Sequence, residues 1–342
     1  MDTPSASAEV GLPPGAGSAD DLSPLAWVYG ELRRSLETAN RALRRHRREA
    51  EAIGESDTDV VDPSVLRTAR AQLHQAVGAL ELVGLPEVAR VLRASEAAVQ
   101  RMVVRPVLAD AAAIAAIEQA SFALLDYLAR QLAGKPVSPV QLFPQYRAVQ
   151  QLAGADRVHP ADLWRQDWRW ETLAADPAAT PRAADEDARG DMESLVLPLM
   201  RQPEPELLGR MSDLCADLGA GARASAGGEA GARLATFWYL AAAVFEAQAR
   251  GLLASDAFNK RIASRLLAQL RLGAGGRHEV SDRLAQDMLF FCAHARSAAG
   301  PLSAPRVDAV RRAWQLDAQA GNDYETPSLG RFDPAQVALA RK

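Results

Sequence analysis

Apolar residues along this chain recur at three- and four-residue intervals and hardly ever alternate with polar ones. Ser23-Pro24 offers a capping residue with proline at the first helical position. Leu25, Val28, Tyr29, Leu32, Leu36, Ala39 and Leu43 then fall on one face, which predicts a helix to about Ile53, where GESDTD breaks it. Asp62-Pro63 repeats the start signal, and Ala69, Leu73, Ala76, Leu80 and Val83 form the stripe of a second helix. Gly84-Leu85-Pro86 is a stop and restart. A third helix carries Val88, Val91, Leu92, Val99 and Met102, with the small Ser95 in its stripe. Beyond Pro106 and Asp110, a fourth carries Ile114, Ile117, Phe122, Leu125, Leu128 and Leu132. Short connections between long amphipathic helices make antiparallel neighbours, so residues 22–134 read as an up-and-down four-helix bundle. Runs of Val and Ile alternating with polar residues are nearly absent, and the fold class is all-α.

The pattern changes over 135–190, where prolines recur and a charged stretch rich in Ala and Asp closes the segment. These residues read as a connector. Trp164 and Trp168 are placed one helical turn apart and are read as contacts docking it onto a bundle; an aromatic anchor for a partner is the other reading. Periodicity returns over 191–316 in ESLVLPLMRQ, PELLGRMSDLCADLG, ARLATFWYLAAAVFEAQAR, AFNKRIASRLLAQLR, RLAQDMLFFCAHAR and a last short RVDAVRRAWQL. AGARASAGGEAG is expected to be a mobile loop. LHQAVG at 73–78 can be laid over LCADLG at 214–219, which sets Cys215 on His74 and Gly219 on Gly78 and makes the second region a degenerate copy of the first. Residues 1–21 are expected to be disordered, and residues 317–342 form a polar tail.

Composition narrows the function classes. The 342 residues carry a net charge of −4, which gives no general attraction to nucleic acid or membrane. The basic block RALRRHRREAEA at 41–52 reads as a solvated helix face; the other reading is a contact with nucleic acid or an acidic partner through Arg41–Arg48, against which the net negative charge and the lack of a recognition motif argue. The most apolar window, LATFWYLAAAVFEA, is too short to span a bilayer. Two lone cysteines in apolar helical patterns suit a reducing compartment, and the N-terminus has no secretory pattern, so the expected location is cytoplasmic. Five histidines without paired spacing give no metal site, and GAGGRHEV at 273–280 lacks the strand and the GK[ST] ending of a phosphate loop. No metal or cofactor is expected.

The chemistry that remains lies on the second helix. Arg67, Arg70, Ala71, His74, Gly78 and Glu81 share a face beside the leucine stripe. Gly78 costs the helix roughly 0.5–1 kcal/mol against alanine; a use for the gap is close approach of another protein to the imidazole. His74 is a candidate phosphoacceptor, being nucleophilic through one ring nitrogen, and Arg70 can steady the anion through charge-assisted hydrogen bonds. The plainer alternative is a structural histidine on a half-buried face.

A histidine followed four residues later by glycine, on the second helix of an antiparallel bundle, resembles a histidine phosphotransfer (Hpt) domain. Such domains show His-x-x-Lys-Gly; here Val77 stands in the lysine position. Over residues 22–320 the segments LAWVYGELRRSLETANRAL, LHQAVGALELVGL, LLDYLARQLAGKPVSPVQLF and DMLFFCAHA resemble the N-terminal region of ChpA/PilL-type, CheA-like hybrid histidine kinases of type IV pilus chemosensory systems, a region shared by the scaffold protein FimL. The resemblance implies two Hpt-like bundles in tandem and a signalling or scaffold module controlling twitching motility. It also implies a CheY-like response regulator and polar scaffold proteins as partners, with the cell pole reached through them. No kinase catalytic domain is recognised, so this would be a fragment or a truncated product. The competing reading is a pure interaction scaffold without phosphate chemistry, which Val77 favours.

Overall fold

The structure, a computed structural model, describes residues 22–53, 63–225, 227–274, 279–296, 303–316 and 324–330. The expected disordered segment 1–21 and residues 275–278 of the GAGGRHEV stretch at 273–280 lie outside them. The described residues form eleven α-helices and no strand.

The first four helices are α1 (Ser23–Ile53), α2 (Ser64–Leu82), α3 (Pro86–Val104) and α4 (Ala111–Leu132). Most of each expected stripe is buried, from Leu32, Leu36 and Leu43 of α1 to Leu73 and Leu80 of α2 and Ile117 and Leu128 of α4, while Val28, Tyr29, Val83, Phe122 and Leu132 are half-buried. Gly84 turns α2 back into α3 with a left-handed φ of 76°, a conformation glycine adopts without strain. Asp110 accepts a hydrogen bond from the Ala113 N–H at 2.7 Å and so caps α4. Helix α1 packs on α2 and α4, α2 on α3, and α3 on α4, which closes a ring of four. Among the described helices α4 alone is long and apolar enough by composition to cross a bilayer; more than half of that apolar window is packed inside this ring.

The connector holds more structure than its prolines led us to expect. A further helix, α5 (Phe143–Ala153), starts with Pro144 in its first turn and lies against α3 and α4. A 3₁₀ turn follows at Pro160–Leu163. Beyond it residues 164–176 are not helical, so the helical spacing proposed for Trp164 and Trp168 does not hold. Both nevertheless dock. Trp164 meets Phe290 and His294 edge-on at 5.8 Å. Trp168 stacks on Trp314 at 6.2 Å and meets Trp170 edge-on at 5.1 Å.

The second set comprises α6 (Glu186–Arg201), α7 (Pro205–Ser225), α8 (Gly228–Ala249), α9 (Ala257–Ala274), α10 (Asp282–His294) and α11 (Pro305–Ala313). Helix α6 begins inside the stretch read as a linker, because Asp185 accepts from the Ala188 N–H at 2.9 Å. The alanine-rich stretch read as a mobile loop is mostly helix: α7 runs to Ser225 and α8 starts at Gly228. Every residue from Ala235 to Gln248 of α8 is buried. Helices α7, α10 and α11 pack on α8, while α6 and α9 pack on each other and join these through α7 and α10 respectively. This arrangement around a buried central helix does not repeat the ring of α1–α4. Cys215, laid over the exposed His74, is fully buried, and burial pushes its thiol pKa up. Gly219, laid over Gly78, sits against Tyr239, whose ring carbons would be 2.7 Å from an added Cβ.

Two features bind the sets together. At the first, Asp287 of α10, 1 % exposed, is ion-paired with Arg157 at 2.6 Å and Arg265 at 2.7 Å. Asp162 pairs with Arg157 at 2.9 Å and with Arg283, while Arg90 of α3 donates to the Asp162 carbonyl. His159 lies beside this cluster, and burial pushes its imidazole down to about 4. At the second, residues 324–330 of the expected polar tail return to the first set. Tyr324 packs among Phe143, Phe258 and Phe290, and Leu329 is fully buried. The Gly330 N–H donates to Asp126 of α4 at 3.0 Å, and Gln119 donates to the Gly330 carbonyl at 2.5 Å.

Candidate functional site

The α2–α3 hairpin presents the candidate face. Leu73, Ala76, Val77 and Leu80 of α2 point into the ring, so Arg67, Arg70, Ala71, His74 and Glu81 are left outside, all exposed. The His74 side chain is 74 % exposed. Val77, which stands in the lysine position of the Hpt pattern, is only 4 % exposed and belongs to the core. At Gly78 an added Cβ would meet nothing within 4 Å. Nothing inside the described protein therefore requires glycine there, and the surface is open one turn beyond the imidazole.

The sequence reading missed one member of this site. Glu96 of α3, with its side chain 14 % exposed, accepts from His74 Nδ1 at 3.2 Å and stands 3.5 Å from Arg70 Nε. A signal for it existed. His74 and Glu96 stand eleven positions on either side of Leu85, and a helical hairpin turning there brings equidistant residues together. With Nδ1–H donated to the carboxylate, the lone pair of Nε2 is directed outward. Arg70, His74 and Gly78 are thus brought together as a patch, with Glu96 as the group that fixes the ring. Farther along the same seam Glu81 pairs with Arg93.

The basic block on α1 is largely occupied. Arg44 pairs with Glu118 at 2.7 Å, Arg45 with Glu49 at 2.6 Å and Arg47 with Glu51 at 3.6 Å, while His46 is buried. The face expected to be solvated is thus exposed at Arg41, Arg45 and Arg48 and half-buried at Arg44 and Arg47, with ion pairs along and across it. Cys292, like Cys215, is buried, and both are free thiols.

In comparison with known proteins, no curated protein and no solved structure matches the chain. A family model of a scaffold protein does match, over residues that lie outside the His74 patch. Residues 177–327, which take in α6–α11 and most of the docked tail, match the family model for the second domain of the FimL scaffold protein.

Proposed function

We propose that this chain is a FimL-like scaffold of a two-component chemosensory system controlling type IV pili and twitching motility. It works in the cytoplasm and reaches the cell pole through its partners. The observation that carries the reading is the family match over 177–327, joined to a charged α2–α3 face that the described residues leave uncovered. The face suits a CheY-like response regulator: Arg67 and Arg70 supply cationic donors, and the notch at Gly78 admits a close approach. The test is complex formation between the full chain and the cognate regulator, measured by light scattering after size exclusion. Binding by the parent chain, retained in His74→Gln and lost in Gly78→Leu, supports a scaffold docking at this face. Equal binding by Gly78→Leu refutes that placement.

A specific geometry favours a second reading, phosphotransfer through His74. Glu96 holds Nδ1, so Nε2 is the nucleophile. Attack by Nε2 on the phosphorus of an aspartyl phosphate forms the N–P bond and breaks the acyl O–P bond, returning the regulator's carboxylate. Arg70, one turn before His74, neutralises the phosphoryl charge. Val77 supplies no second cation, so the transfer is slower than with the lysine that the Hpt pattern carries. Incubation with phosphorylated regulator should give an acid-labile, base-stable label that His74→Gln abolishes. Label that survives in this variant removes His74 from the chemistry while leaving the scaffold reading intact.

A further inference from the structure

A second site lies away from the α2–α3 face, where the extended connector passes beside α11. Leu173–Pro177 form one wall, the first two turns of α11 from Pro305 to Arg312 form the other, and Tyr239 of α8 lies beneath. The space between them is about 270 Å³ and mostly apolar, at the small end of ligand cavities. It exists because Ala174, Ala175 and Ala309 contribute little bulk to the walls.

Its polar groups divide into two classes. Asp176 and Arg306 satisfy each other at 2.7 Å, and Arg306 also reaches Ser212 at 2.7 Å and Asp213 at 2.8 Å. The Ala178 N–H donates to Asp176 as well. The second class has no such partners. Tyr239 is 5 % exposed, and its hydroxyl has no hydrogen-bond partner among the described residues, which is unusual for a buried polar atom. Among the described residues Arg312 engages only the Asp308 carbonyl of its own helix, through Nε, so these leave its terminal nitrogens available at the rim. The backbone groups of Ala174 and Ala175 make no hydrogen bond among the described residues.

We propose that this cavity binds a small apolar carboxylate, its hydrocarbon part over Tyr239 between the alanines and its charge at Arg312. A free aromatic or short-chain acid has this chemistry, and so does the C-terminal residue of a polypeptide lying along Ala174–Ala175. Titration calorimetry on the full chain with 3-phenylpropionate, 3-phenylpropanol and acetyl-Ala-Ala-Phe carboxylate tests it. The expected result is saturable binding of 3-phenylpropionate, weaker by about tenfold or more for the alcohol and for Arg312→Gln, as loss of a charge-assisted bond requires. Ala309→Trp, which fills the cavity, abolishes binding. Tighter binding of the tripeptide identifies a polypeptide terminus as the source; weaker binding identifies a free acid. The proposal is overturned if neither acid binds at millimolar concentration, if the alcohol binds as well as the acid, or if a folded Ala309→Trp binds like the parent chain.

Discussion

Alanine in place of glycine inside a helix should act in opposite directions at two positions of this protein. Gly78 of α2 and Gly221 of α7 both lie within helices. At Gly78 the new methyl meets nothing within 4 Å. Only the backbone entropy and helix propensity change, and Gly78→Ala should stabilise the chain by roughly 0.5–1 kcal/mol. At Gly221 the same methyl would stand 2.5 Å from the Arg182 carbonyl carbon and 2.9 Å from its nitrogen, and closer still to its oxygen. Those are backbone atoms of the connector, so no rotamer change relieves the clash. The connector must lift off α7, and two hydrogen bonds to Asp217 lie in its path: from the Arg182 N–H at 3.0 Å and from the Thr180 N–H at 2.7 Å. Overpacking costs about 1–3 kcal/mol, and each lost bond about 1 kcal/mol. After the propensity gain is subtracted, Gly221→Ala should destabilise by about 2–4 kcal/mol. Urea unfolding followed by circular dichroism at 222 nm measures both. A destabilised Gly78→Ala would mean that the notch is filled from within the protein; a neutral Gly221→Ala would mean that the connector does not cross α7 at that point.

Gly78→Ala should therefore raise stability while weakening regulator docking, a split that binding and melting measured on one preparation would show, and parallel losses would refute it. Acid should destabilise the protein through its buried imidazoles. His159 and His294 are both pushed down to about 4 by burial, whereas the unfolded chain titrates near 6.5. Between those values the unfolded state binds more protons, so the contribution is complete above pH 6.5 and is lost as pH falls to 4, by about 3 kcal/mol per group. Urea midpoints at pH 7 and pH 4.5 should differ, and His294→Phe, which keeps the stack on Phe290, should reduce the difference; an unchanged slope refutes the assignment. Asp287→Ala leaves Arg265 unpaired and Arg157 with Asp162 alone, both partly exposed, and should cost about 1–3 kcal/mol, read as an earlier urea transition. Gly330→Ala combines a φ of 66° with an added carbon 2.6 Å from the Ala123 nitrogen. It should loosen the tail, seen as faster protease cleavage near Tyr324.

The sequence was a good guide wherever a single helix carried its own punctuation. Pro24, Gly84-Leu85-Pro86 and Asp110 bracket α1–α4, and the buried stripes follow the period of 3.6 residues because each of these helices has one solvent face. It misled where glycine and alanine cluster. The end of α7 reads as a loop because Gly221, Gly227 and Gly228 cluster there among alanines, yet Gly221 serves a tight contact with Arg182, as Gly219 just before it does with Tyr239. Helix α5 escaped notice among prolines that in fact begin it. The overlay of His74 on Cys215 matched letters and not environments, since α8 is enclosed on all sides and α7 must bury the face that α2 exposes. At the candidate site, His74, Arg70 and Gly78 lie on one helix and could be found from spacing alone, whereas Glu96 required the register of a hairpin. The Asp162–Asp287 cluster joins residues more than a hundred positions apart, and no local pattern announces it.

The hold of Gly330 on α4 reaches across 204 residues to Asp126 and 211 to Gln119. A ribosome finishes the first helical ring long before it has made the residues that lock it. During that interval the surface around Ala123 stands uncovered, and the nascent ring must wait for the whole of the second set before its last contacts can form. Assembly of this chain is thus completed by residues made late, and whatever holds back residues 324–330 leaves the oldest part of the molecule unlocked.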